Sequence, residues 1–198
     1  MREFLMNLVN VAYLAFQYPA ELPTHLERGG KLTAEKTVVI TLVALSIATG
    51  SYYMRGQYAS SFSVVIPTLA VLMGLLLLVG SLLLGGVIDI LVGFVSPSKT
   101  GRAGDMMAIA LFAALPFIFF LPAAVPVRLL PYRGGVMFFV ELVLSGWSLF
   151  ILLRGVQFLY ELSTRRAIGI LVRAMAVLAF FPGLLLVAAT SIFLQVLN

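Results

Sequence analysis

The stretch GGVMFFVELVLSGWSLFILLRGVQFLYELSTRRAIGILVR, from Gly134 to Arg173, decides the fold. Its apolar run, Val136 to Leu153, has no polar stripe along any face, so it cannot be the surface helix of a soluble domain. At about 1.5 Å per residue the run is long enough to be read as a membrane-spanning helix. Charges gather inside it or beside it: Glu141 within the run, Arg154 and Glu161 after it, then Arg165 and Arg166. Trp147, the only tryptophan, lies between these polar ends and reads as packing.

Working outward, the composition agrees. Of 198 residues, 62% are hydrophobic and 11% charged, and the mean hydropathy is +1.10. Soluble domains carry about 25% charged residues, so a water-soluble globule is excluded. The length accommodates about five spans of ~20 residues and no separate soluble domain. A net charge of +5 does not point to nucleic acid, because the basic residues are scattered between apolar runs. They read as topology determinants and as contacts to anionic lipid headgroups. Cysteine is absent, which removes disulfides and thiolate metal sites.

The expected fold is all-α: a single polytopic helix bundle over 1–198, with five transmembrane helices plus an N-terminal amphipathic helix. Residues 1–18 carry a thin polar line, Glu3, Asn7, Asn10 and Gln17, on one helical face. A signal peptide is the rival reading, but Arg2 stands beside Glu3 and QYPAEL offers no small-x-small cleavage site. A retained helix, in the interface or docked on the bundle, is favoured. The polar segment Glu21 to Lys36 reads as a turn-rich loop, and its His25 is the only histidine, with no second to share a metal. The spans are expected at about 37–53, 61–84, 106–125, 136–158 and 168–196. The first is rich in small or hydroxyl residues, among them Ser46, that allow close helix approach. The apolar stretch from Ser61 to Val95 exceeds what ~30 Å of hydrocarbon requires, so a break is expected at Gly85-Gly86, with Asp89 at headgroup level. Pro116 should kink the third span, and Pro182-Gly183 lies near the middle of the fifth.

Alternating loops place Arg2, Arg28, Lys31, Lys36, Lys99, Arg102, Arg154, Arg165, Arg166 and Arg173 on one side. Only Arg55, Arg128 and Arg133 fall on the other. That asymmetry predicts a cytoplasmic N-terminus and an external C-terminus. An internal repeat also suggests itself. Gly155-Val156 aligns with Gly86-Val87 and Pro182 with Pro116, as in a parallel repeat that leaves the first span unpaired.

Few residues could carry chemistry. Glu141 is the one carboxylate well inside an apolar run, about one and a half turns from its external end, a functional hypothesis by default. Its structural alternatives are to reach the outer interface or to pair with Arg128 or Arg133. Arg154, Gln157, Glu161 and Arg165 recur at offsets that share one helical face. With Asp89 and Asp105 opposite, that face could form a polar mouth, or it is an ordinary ion-paired, snorkelling helix end. The sequence contains no HExxH, GxSxG or phosphate-binding loop, and no metal-spaced His/Asp/Glu cluster. No cofactor, metal or catalytic residue is expected, and the chain reads as a non-enzyme.

The order of features resembles the Yip1 domain family of five-span membrane proteins. The resemblance rests on LLGGVIDILVGF, on the Gly-rich basic loop that follows, on ALP in the third span, and on GWSLFILLRGVQFLYELSTRRA. In the last piece Trp147, Gly155, Tyr160, Ser163, Arg166 and Ala167 take the family's places. The resemblance covers most of the chain from about residue 5. The long N-terminal region and Tyr-Gly-Pro element of the eukaryotic trafficking members are not seen here, so the compact prokaryotic form is the better likeness. It implies a fold and a topology more than an activity, and the expected location is the prokaryotic cytoplasmic (inner) membrane. Two functions stay open: a non-enzymatic protein that organises membrane or protein partners, as a homo- or hetero-oligomer or alone, and a small transporter, channel or lipid-translocating protein using Glu141 and the Arg154/Glu161 face.

Overall fold

The computed structural model describes residues 2–19, 21, 33–55 and 62–197. Among them every regular element is helical: α1 (Arg2–Gln17), α2 (Thr33–Arg55), α3 (Phe62–Val95), a 3₁₀ turn (Pro97–Lys99), α4 (Ala103–Ala113), a 3₁₀ segment (Leu115–Phe119), α5 (Phe120–Val127), α6 (Arg133–Leu159) and α7 (Thr164–Leu197). The loop around His25 and the turn at 56–61 lie outside the described residues. Among the described residues, four stretches are long and apolar enough to cross a membrane: Ala34–Met54, Val64–Val95, Ala103–Val127 and Arg133–Leu159. Helices suit that environment because each satisfies its own backbone polar groups.

The broken third stretch, α4 to α5, is the spine of the bundle. Half of its most apolar window is buried, against 17% for α3, which turns most of its surface outward. Met106, Ile109 and Phe112 of α4 are fully buried and join Ile88 and Val92 of α3 and Ile151 and Val156 of α6 in one core. Lipid tails are as apolar as these side chains, so close packing rather than water exclusion holds the helices together. Two glycines make that packing possible. A Cβ on Gly85 would lie 2.8 Å from the Met107 amide nitrogen and 3.0 Å from the Ala103 carbonyl oxygen, so α3 meets the backbone of α4 there. A Cβ on Gly155 would collide with Cγ2 of Ile109, which seats α6 on the other side of α4.

The expected break at Gly85-Gly86 does not occur: α3 runs unbroken through both residues. Glycine lowers helix propensity by only about 1 kcal/mol, and here the missing side chain is the contact surface. The break at Pro116 does occur. Proline has no N–H and its ring crowds the preceding turn; α4 ends at Ala113, and i→i+3 bonds take over, Ala114 N–H to Leu111 O and Phe117 N–H to Ala114 O. Pro122 would likewise leave the Ile118 carbonyl without its helical donor. Ser46 of α2 fills that place, its Oγ donating to Ile118 O at 2.8 Å and accepting from Leu121 N–H at 3.0 Å. At the two prolines aligned in the repeat the backbone differs: α7 continues as helix through Pro182, whereas α4 ends before Pro116.

At the N-terminus, Val11 and Ala15 of α1 are fully buried against the bundle, while Asn7, Asn10 and Gln17 are exposed. The Phe16 ring sits 5.1 Å from Trp147 and 5.8 Å from Phe119, centroid to centroid, so one edge of the exposed Trp147 packs against α1.

Candidate functional site

Among the described residues the densest polar arrangement lies at the end of the bundle where α3 finishes, α4 begins and α6 gives way to α7. Its centre is Asp89. Six residues before α3 ends, its Oδ2 accepts from Gly101 N–H at 3.0 Å and its Oδ1 from Arg102 N–H at 3.1 Å. The same Oδ1 accepts from the Tyr160 hydroxyl at 2.9 Å. Local chain geometry explains the first pair. The 3₁₀ turn ends at Lys99, and Gly101 takes a φ of +91°, a conformation natural to glycine, ahead of α4. Arg102 is the N-cap of α4 but has no side-chain capping bond of its own. Asp89 supplies the carboxylate from the neighbouring helix, where the positive end of α4 favours it. Tyr160 is fully buried, and burial, then its hydrogen bond to Asp89, pushes the phenol well above its ordinary range. It stays protonated and keeps donating. Arg102 adds a further strap, Nη1 to the Leu159 carbonyl at 3.0 Å.

The end of α6 shapes the second half of the site. Leu162 N–H reaches back to Gln157 O at 2.9 Å and Glu161 N–H to Phe158 O at 3.3 Å. These are the two bonds of a Schellman motif, whose left-handed residue is normally glycine. Here that residue is Glu161, with φ +48°. Its carboxylate meets Lys99 Nζ at 2.8 Å. The hydrogen bond and charge of Lys99 hold the Glu161 carboxyl below the usual glutamate range.

The single face expected from Arg154 to Arg165 is therefore cut in two. The helix stops at Leu159, and the left-handed turn sends Glu161 toward Lys99. Only the first half survives: Arg154 Nη1 donates to Gln157 Oε1 at 3.3 Å, with Gln157 buried and the guanidinium 5.4 Å from the Phe150 ring centroid. Glu141 stands apart. It is exposed on α6 and has no hydrogen bond or ion pair among the described residues. Along the helix it lies about 24 Å from Gln157 at ~1.5 Å per residue. A pocket of about 440 Å³ lined by Gln157, Glu161 and Thr164 does not reach it. Arg128, one of its expected partners, stacks over the Tyr53 ring at 4.5 Å.

Asp89 is thus brought together with Glu161, while Glu141 joins neither. Sequence reasoning marked Lys99 and Arg102 only as loop charges, and did not foresee Tyr160 as a donor or Gly101 as the turn. The signals were available in part: an aspartate near the end of an apolar run, then a Gly-Arg pair before the next helix. Among the described residues no three His, Cys, Asp or Glu side chains converge as a metal site.

The model of the Yip1 domain matches residues 17–192, most of the chain. No curated protein and no solved structure shows significant similarity to it. With four helices fit to cross a bilayer among the described residues and a family match of that extent, the chain is an integral membrane protein belonging to the Yip1 domain family.

Proposed function

We propose that this protein is a non-enzymatic membrane organiser, shaping the bilayer or holding partners within it. The observation that carries this reading is how the polar groups near the core are used. Asp89, Tyr160 and Arg102 bond to one another and to backbone at the junction of three helices, and Ser46 mends a broken turn. These groups are used to fix helices in place rather than to line a route. In this reading α7 is the fifth span and α1 lies along the interface. The N-terminus is cytoplasmic and the C-terminus external, in a prokaryotic inner membrane. The Asp89 end, with Lys99, Arg102, Arg165 and Arg166, then faces the cytoplasm and anionic headgroups, as the positive-inside rule requires.

The alternative is a small transporter, channel or lipid-translocating protein. Its motivation is Glu141, an exposed carboxylate flanked on α6 by Phe138 and Leu142, both also exposed. Reconstitution into liposomes separates the two. The organiser leaves ion, solute and fluorescent-lipid gradients intact and alters vesicle shape or the proximity of labelled copies. A flux that Glu141→Gln abolishes overturns it.

A further inference from the structure

We propose that the pocket between the 3₁₀ turn and the α6–α7 junction binds a phosphate group, and that the Glu161 carboxylate is a displaceable internal stand-in for it. The pocket measures about 290 Å³ and is lined by Ser98, Lys99, Thr100, Arg102, Tyr160 and Glu161. That is near the lower end of small-ligand clefts. Two other clefts have apolar walls, one with Leu82, Val87 and Met107 and one with Ile40, Ala44 and Val71. Here two cations, Lys99 and Arg102, line the same pocket as one anion, Glu161. Lys99 Nζ lies 2.8 Å from Glu161 Oε2, and the charge of Arg102 is also felt at that carboxylate.

The hold on Glu161 is weak. Its side chain is 81% exposed, and exposed ion pairs contribute little. Its backbone adopts the left-handed form that glycine fills more readily. A phosphate carries more charge and more acceptor oxygens than a carboxylate and suits Lys and Arg donors better. Asp89 stands beside the pocket and accepts from two backbone N–H groups and the Tyr160 hydroxyl. Asp105 is the other carboxylate near this corner, felt at Tyr160. Arg165 and Arg166, exposed on the first turn of α7, add positive charge at the same junction. The phosphate could belong to a lipid headgroup or to a soluble ester. The site does not depend on which functional reading holds.

Two arms separate the sources. Full-length protein in phosphatidylcholine nanodiscs is titrated with inorganic phosphate by calorimetry. In detergent, retention of phosphatidylglycerol against phosphatidylcholine is read by native mass spectrometry. Wild type binds at least one probe, Glu161→Gln binds it several-fold more tightly, Lys99→Gln loses it and Lys99→Arg largely restores it. Binding of the lipid alone assigns a headgroup; binding of inorganic phosphate assigns a soluble ester. Glu161→Gly, which relieves the left-handed turn, serves as the second variant if Glu161→Gln folds poorly. The proposal is overturned if neither probe binds, if removing the carboxylate leaves affinity equal or weaker, or if Lys99→Gln binds as wild type does.

Discussion

Asp89 and Glu141 are both carboxylates set in apolar helices, and the structure treats them in opposite ways. Asp89 is half-buried near the end of α3 and accepts three hydrogen bonds from two other segments. Glu141 stands about two turns into α6, yet it is exposed and has no such partner among the described residues. Depth in a hydropathy profile therefore says where a carboxylate stands along the chain, not what it does. Its role depends on donors brought from elsewhere, because a charge in a low-dielectric setting persists only where it is paired or hydrogen-bonded.

The contrast can be broken most sharply at its centre. Asp89→Ala leaves two backbone N–H groups and a buried phenol without their acceptor and should cost about 3 kcal/mol of stability. Reversible unfolding in mixed micelles measures this, and an equal loss in Glu141→Ala would erase the distinction. Next in size, Gly155→Ala drives a methyl group into Ile109 and should cost about 2 kcal/mol by overpacking. Adding Ile109→Ala should restore part of the α4–α6 fit, visible as non-additivity in the double-mutant cycle. Ser46→Ala removes both bonds that mend the proline break and should cost about 1 kcal/mol, since hydrogen bonds within membranes average ~0.6 each. A smaller effect is a pH dependence at the same end. The folded pKa of Glu161 is lowered, so its contribution is present above the unfolded glutamate range and lost as pH falls through the folded value. Thermal melts of wild type should decline across that acidic window more than those of Glu161→Gln. Smallest of all, Glu141→Gln should shift stability by no more than about 0.5 kcal/mol.

Much of the architecture was legible from residue patterns alone, for particular reasons. Long runs without a polar stripe mark helices that need no water, and Pro116 announces a break because it lacks an N–H whatever surrounds it. Gly85-Gly86 misled, since two glycines look like a break until a neighbouring backbone is found against one of them. The site was harder to read. Residues 89, 99 to 102 and 160 to 161 meet only through tertiary contact, and helical periodicity extrapolated past Leu159 put Glu161 on a face it never occupies. Ser46 could be read as a small residue permitting close approach. That it would supply the missing donor required knowing that Ile118 lies opposite.

The length of α3 carries one more implication. Its 34 residues extend about 51 Å at ~1.5 Å per residue, whereas hydrocarbon is ~30 Å thick. Even a tilt of ~40° still projects to roughly 39 Å, so some turns must stand clear of the acyl chains. The polar partners gathered around Asp89 mark that end as the one suited to emerge. Thickening the surrounding lipid, by sterol or longer acyl chains, draws these groups toward hydrocarbon, where a carboxylate is costly. Thinning releases them into water. The stability of this corner is thereby coupled to bilayer thickness, a property of the host membrane rather than of the chain.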